Sequence, residues 1–65
     1  MRVYIVREGK SIQFYAVAPH RRAAFLVEKR GKILAWGNSL TEAVDRLGGV
    51  AEKLAVLDAL SKKVK

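Results

Sequence analysis

The chain has 65 residues, and its 13 Lys or Arg against 6 Asp or Glu give a formal net charge of +7. Hydrophobic residues make up 51%, which is typical of a folded domain and excludes a disordered basic tail. The length allows one small domain, 1–65, and excludes the deep clefts of most enzymes. Because the chain has no cysteine, disulfides and thiolate zinc sites are excluded, and self-association is the remaining way to gain stability.

The first half of the chain, 1–37, has the composition of a β-sheet. It is rich in Val, Ile, Phe, Tyr and Trp, and three polar segments that contain Gly or Pro interrupt it. This pattern is typical of strands joined by turns. It predicts a four-stranded antiparallel β-meander with strands at 2–7, 12–18, 22–28 and 33–37.

Turn chemistry sets the expected register. Gly9-Lys10 has the residue order of a two-residue type II′ turn. The first two strands are then expected to pair Glu8 with Ser11, Ile5 with Phe14, and Tyr4 with Tyr15. A turn around Arg30-Gly31 sets Val27 opposite Leu34 and Phe25 opposite Trp36.

The pairing also predicts which sheet face is the core. The face with Ile5 and Phe14 is expected to pack under the C-terminal part of the chain, at Leu40, Val44 and Leu47. Trp36 is interpreted as a core residue on this face. The opposite face has fewer large apolar side chains, and we call it the lighter face. It is nevertheless too apolar to be freely solvated.

The second half, 39–64, is predicted to be helical. Ser39 and Glu42 have the spacing of a capping box, in which the serine hydroxyl accepts from the glutamate amide and the glutamate reaches back. Apolar residues then recur on one helix face. Gly48-Gly49 interrupts the pattern and predicts a break. The expected fold is therefore α+β, of order ββββα, with one or two C-terminal helices.

Basic residues cluster at the expected turns. In an antiparallel meander the turns 8–11 and 29–32 lie at the same end of the sheet. Cations in register with a phosphate backbone raise the affinity of a protein for nucleic acid, because binding releases counterions. The alternative is that these cations only keep the turns solvated and protect strand edges. We interpret seven of them as nucleic-acid-binding residues: Arg7, Lys10, Arg21, Arg22, Lys29, Arg30 and Lys32.

Two further surfaces are candidates for interaction. Tyr4 and Tyr15 would stack unpaired bases on an open sheet face, or else form a cross-strand pair that stabilises the hairpin. The segment 50–64 is apolar over more than half of its circumference and is interpreted as a self-association element. The alternatives are that it covers the lighter sheet face of its own chain or enters a partner's groove. Its residues are Leu54, Val56, Leu57, Leu60 and Val64.

Catalysis, metals and cofactors find no support in the sequence. His20 is the only histidine and lies in a predicted turn, and no carboxylate pairs with a candidate nucleophile. No uncharged run reaches the roughly 18–20 residues of a transmembrane helix, and the N-terminus carries no signal peptide. We therefore expect a cytoplasmic protein without a membrane partner. Few side-chain amides and no cysteine also favour a thermophilic source.

The strand-to-helix junction at 35–44 resembles that of the HicB-like antitoxin family. Gly37, Ser39, Glu42 and Ala43 follow its Gly-Asp-Thr/Ser-x-x-Glu-Ala order, and Asn38 stands where the family has Asp. The resemblance implies a β-sheet with a packed helix, dimers, and binding to a small toxin ribonuclease.

The sequence therefore predicts a small, basic, non-enzymatic protein that binds DNA or RNA through the phosphate backbone as a homodimer. The alternative is a protein-interaction module of the HicB-like type, which binds a small toxin or another protein partner.

Overall fold

The computed structural model describes residues 1–63. Its three strands form one antiparallel sheet in the order β2-β1-β3, and helices cover both faces, so the molecule is α+β. The elements in chain order are β1 (Arg2–Glu8), β2 (Ser11–Val17), α1 (Arg21–Glu28), β3 (Lys32–Gly37), α2 (Leu40–Asp45) and α3 (Val50–Lys63).

The predicted third strand, 22–28, is wrong, and with it the four-stranded meander, because these residues form α1. Ala23 and Val27 are buried, whereas Phe25 between them is 54% exposed; a strand would place all three on one face, and a helix places only Ala23 and Val27 there. His20 caps the helix, since its Nδ1 accepts a hydrogen bond from the backbone N–H of Ala23 at 3.2 Å. An imidazole thus takes the place of the Ser, Thr, Asp or Asn that usually signals a helix start.

The pairs predicted across the Arg30-Gly31 turn are wrong for the same reason. β3 pairs instead with β1, which places Trp36 opposite Tyr4 and Ala35 opposite Ile5. The register then shifts between Ile5 and Val6, so one residue of β3 is extra at this point, as in a β-bulge.

The hairpin of β1 and β2 has the predicted register, with Tyr4 opposite Tyr15 and Ile5 opposite Phe14. Gly9 has φ +63°, and no non-glycine residue in the described part of the chain has positive φ. A type I′ turn would need positive φ at both central residues, whereas type II′ needs it only at the first. The predicted type II′ turn is therefore confirmed.

β1 is the central strand, and its run of three consecutive buried residues, Tyr4, Ile5 and Val6, follows from helices lying on both faces. Ile5 packs with the α2 residue Ala43 and with Leu47 and Val56, and Val44 is half-buried beside them. The core predicted between the Ile5 face and this part of the chain is confirmed for Val44 and Leu47, whereas Leu40 is not in the described cluster.

The lighter face is covered by α1. Tyr4 and Val6 pack there against Val27, so the alternative in which the C-terminal segment covers this face is wrong. The lighter face is apolar because α1 packs on it. Residues 22–28, which form most of α1, were predicted to be a strand.

The junction between β3 and α2 is a capped helix start. The Ser39 Oγ accepts from the Glu42 N–H at 3.2 Å, and the Glu42 carboxylate accepts from the Asn38 N–H at 3.2 Å. α2 ends at Asp45, and α3 begins after Gly48-Gly49, which confirms the predicted break. Within residues 1–63, no helix is both long and apolar enough to cross a membrane.

Candidate nucleic-acid interface

The two basic turns meet at one end of the sheet, as predicted. Glu8, the last residue of β1, pairs with Ser11 of β2, and the neighbouring Arg7 pairs with Lys32 of β3. The turns at 9–10 and 29–31 therefore flank the same end of the central strand. We call this region the basic end. Its five exposed cations are Arg7, Lys10, Lys29, Arg30 and Lys32.

A close backbone approach at Gly31 holds the basic end together. A Cβ atom at this position would lie 2.2 Å from the carbonyl oxygen of Arg7 and 3.3 Å from the Cα of Glu8. Only glycine lets the 29–31 turn lie this close to β1 without moving backbone. The turn thereby keeps Arg30 and Lys32 beside Arg7.

The positive charge of the basic end is not neutralised within the described residues. The ion pairs of the described residues lie outside the basic end. They join Glu42 to Arg46 in the α2 region at 2.8 Å and Asp58 to Lys62 in α3 at 3.4 Å. Glu8 and Glu28 are the nearest carboxylates by sequence, and Glu8 accepts a hydrogen bond from the Tyr15 hydroxyl. That hydrogen bond raises the pKa of Tyr15, with smaller contributions from desolvation and from the charge of Glu8.

Arg21 and Arg22 are exposed at the opposite end of α1. Eight residues at 1.5 Å each separate them from Lys29 by about 12 Å along the helix. The first turn of α1 contains no acidic residue, so the partial positive charge of the helix N-terminus adds to the two arginines. The seven predicted cations therefore form two groups, joined by α1.

The stacking role predicted for Tyr4 is wrong. Its side chain is 3% exposed beneath α1, so its ring is not accessible to a base. Tyr15 is half-buried beside the same cluster, and its hydroxyl donates to Glu8. The geometry matches the alternative interpretation, a cross-strand tyrosine pair within the hairpin.

Trp36 is an aromatic residue that the sequence analysis assigned to the core, and this is also wrong. It lies on the edge strand β3 and is 40% exposed. The guanidinium carbons of Arg2 and Arg46 lie over its ring, 4.4 Å and 4.7 Å from the centroid. Its pairing with Tyr4 places Trp36 on the α1 face of the sheet, whereas Ala35 pairs with Ile5 on the face predicted for Trp36.

The predicted self-association residues separate into two groups. Val56 is 0% exposed in the core of its own chain, and Leu60 is half-buried against that core, so these two do not face a partner. Leu54 and Leu57 are 62% and 47% exposed. Val64 lies outside the described residues.

No family model matches the chain, and no curated protein or solved structure shows significant similarity to it. The HicB-like resemblance thus rests on the junction at 37–43 alone and stays a prediction.

Proposed function

We propose that this chain is a small, non-enzymatic, cytoplasmic protein that binds nucleic acid through phosphate contacts with little base specificity. The observation that carries the proposal is the basic end, where five exposed cations without an ion pair in the described residues sit on an ordered framework. Such a framework gains binding free energy by releasing the counterions condensed on a polyanion.

The kind of contact follows from the side chains. Lysine and arginine at turns reach phosphate oxygens, which have no sequence information. β1 ends here, β2 and β3 begin here, and Gly31 fixes one turn against the central strand. The cations therefore keep a set spacing, which favours the regularly spaced phosphates of a nucleic-acid backbone over a free nucleotide.

The test compares two substitutions that change the charge by the same amount. Lys32→Gln removes a cation from the basic end, whereas Lys62→Gln removes an exposed one from α3. Lys32→Gln should reduce the slope of log affinity against log salt by about 0.9 for duplex DNA or about 0.7 for a single strand. Lys62→Gln should leave the slope unchanged.

Equal effects of both substitutions would contradict the role of the basic end, and no binding at about 50 mM salt would contradict the function itself. The alternative, a protein-interaction module, predicts a stoichiometric complex with a protein partner that survives moderate salt.

The proposal includes a homodimer formed by α3. Val50, Leu54 and Leu57 recur at spacings of four and three residues and are all exposed, which is the a/d pattern of a two-stranded helix pair. In a parallel pair with a second copy, Lys53 and Asp58 take the flanking g and e positions, where opposite charges face each other. This charge complementarity favours a second copy as the occupant.

Light scattering tests the dimer. Leu54→Lys should convert a dimer into a monomer of 7.2 kDa, because it places a charge in the middle of the apolar stripe. The matched control is Leu26→Lys on α1, where the side chain is similarly exposed at 58% but lies outside the stripe. A monomeric wild-type chain at high concentration would contradict the proposal, as would an unchanged mass for Leu54→Lys.

A further inference from the structure

The flank of the molecule between α1 and the edge strand β3 carries an open groove of about 600 Å³. Side chains from β1, α1, β3 and the end of α2 line it, among them Arg2, Ala24, Glu28, Trp36 and Arg46. An adjacent hollow shares Ala24 and Glu28 with this groove. The groove therefore continues along α1.

The extension along α1 adds cations and a second aromatic ring. Arg21, Arg22 and Phe25 line the adjacent hollow, and Phe25 is 54% exposed. The Lys29 ammonium lies 4.6 Å from the centre of the Phe25 ring, and Lys29 belongs to the basic end. Aromatic and basic side chains thus alternate from Trp36 to the basic end.

The two guanidinium groups over Trp36 differ in how much charge they offer a ligand. Arg46 is paired with Glu42 and also donates to the backbone carbonyl of Trp36 at 3.4 Å. Arg2 has no carboxylate partner in the described residues. Its one hydrogen bond there goes from Nη1 to the Tyr4 hydroxyl at 3.4 Å, and its buried Nε has no partner. The cation of Arg2 is therefore uncompensated beside an exposed indole.

We propose that the α1–β3 groove binds a single-stranded segment of nucleic acid, with an unpaired base stacked at Trp36 and its arginines. This inference rests on the proposed function and locates the base contacts of that function. Aromatic rings and guanidinium planes are the surfaces on which unpaired bases stack. Along a duplex, every base inside the two terminal pairs is stacked on both faces and cannot present one to the indole.

The charges within the groove set the path of the strand. Glu28 is the carboxylate among the lining residues of both hollows, and it repels a phosphate while accepting hydrogen bonds from a base amino group. Phosphates are therefore placed on Arg2 and Arg21, and base amino groups at Glu28. From there α1 leads the strand to Lys29 over about 12 Å.

The experiment uses an eight-nucleotide single strand of mixed sequence and the matching eight-base-pair duplex. Trp36 is the only tryptophan in the chain, so its fluorescence reports directly on the groove. The single strand should quench Trp36 and the duplex should not. With a labelled oligonucleotide, Trp36→Leu should weaken single-strand binding by about fivefold to 150-fold, with less than a twofold change for the duplex. Trp36→Phe, which keeps a ring, should restore part of the loss.

Several outcomes would overturn the inference. Single-strand binding without quenching, or equal loss of single-strand and duplex affinity in Trp36→Leu, would place the bases elsewhere while leaving the basic end in function. Quenching by an acidic peptide but not by the oligonucleotide would assign the groove to a protein partner. Absence of binding to either nucleic acid would contradict the proposed function as well. If Trp36→Leu unfolds at a temperature close to that of the wild type, its losses of affinity are not due to misfolding.

Discussion

Replacing Gly31 with alanine perturbs the contact that holds the basic turn against the central strand. The added Cβ would lie 2.2 Å from the Arg7 oxygen and 3.0 Å from its carbonyl carbon. Both atoms belong to backbone in the β1–β3 pairing, so no side-chain rotation can make room. The turn must move away from β1, and the pairing of Arg7 with Lys32 must open.

The expected cost is large for a chain of this size. Overpacking against a fixed structure costs about 1–3 kcal/mol, and a clash this short against backbone places Gly31→Ala near the upper limit, at about 3 kcal/mol. A stability of about 0.05–0.15 kcal/mol per residue gives the whole chain only about 3–10 kcal/mol. With a shift of about 4–8 °C per kcal/mol, the melting temperature should fall by about 12–24 °C.

Urea unfolding followed by Trp36 fluorescence measures the change. Gly48→Ala is the matched control, because a Cβ at Gly48 would meet no atom within 4 Å and its φ is not in the left-handed region. That substitution should stabilise the chain by about 0.4–1 kcal/mol through the unfolded state. The reasoning fails if Gly31→Ala unfolds at the wild-type urea concentration, or if both alanines shift the midpoint in the same direction.

Three further predictions concern the cap, the core and the hairpin. Ser39→Ala should lower the free energy of unfolding by about 1 kcal/mol in urea titrations, because the N-cap bond to Glu42 is lost. Val56→Ala should cost about 2 kcal/mol as a cavity in the core of the monomer, whereas the exposed Leu54→Ala should cost less than about 0.5 kcal/mol in the same assay under monomeric conditions. The hydrogen bond to Glu8 raises the pKa of Tyr15 above 10.0, so the folded chain holds this proton more tightly than the unfolded chain. The stabilisation by this hydrogen bond is present below about pH 10 and is lost as the pH rises through the raised pKa of the folded chain; Tyr15→Phe should therefore lose less stability than the wild type as the pH rises above about 10.

Local signals predicted the parts of the fold that depend on local chemistry. The Gly9-Lys10 turn fixed the register of β1 and β2, since a two-residue hairpin allows one alignment. The Ser39 cap and the break at Gly48-Gly49 were correct because each depends on a few neighbouring residues. All three features are readable without knowing the strand order.

The error at 22–28 has a physical cause. Phe25 and Val27 favour strands, and the N-cap is an imidazole that composition rules do not count as a cap. The signals for a helix were the good helix formers between Arg21 and Glu28. These signals were available in the sequence and were outweighed by β-propensity.

The predictions for the candidate site also divide into those that survived and those that depended on tertiary structure. Placement of the basic turns at one end survived the loss of a strand, because α1, like the strand predicted at 22–28, returns the chain from the far end of the sheet to this end. The assignments of Tyr4 and Trp36 did not survive, because exposure depends on which sheet face each residue occupies and on which part of that face α1 covers. Both properties are tertiary, and no single-sequence pattern specifies them.

The most direct test of the central claim is the affinity of the full chain for an oligonucleotide across a range of salt concentrations. Five phosphates neutralised by the basic end predict a straight line of log affinity against log salt, with a slope of about −3.5 for a single strand or about −4.5 for duplex DNA. A slope near zero, or no binding at low salt, would contradict the account.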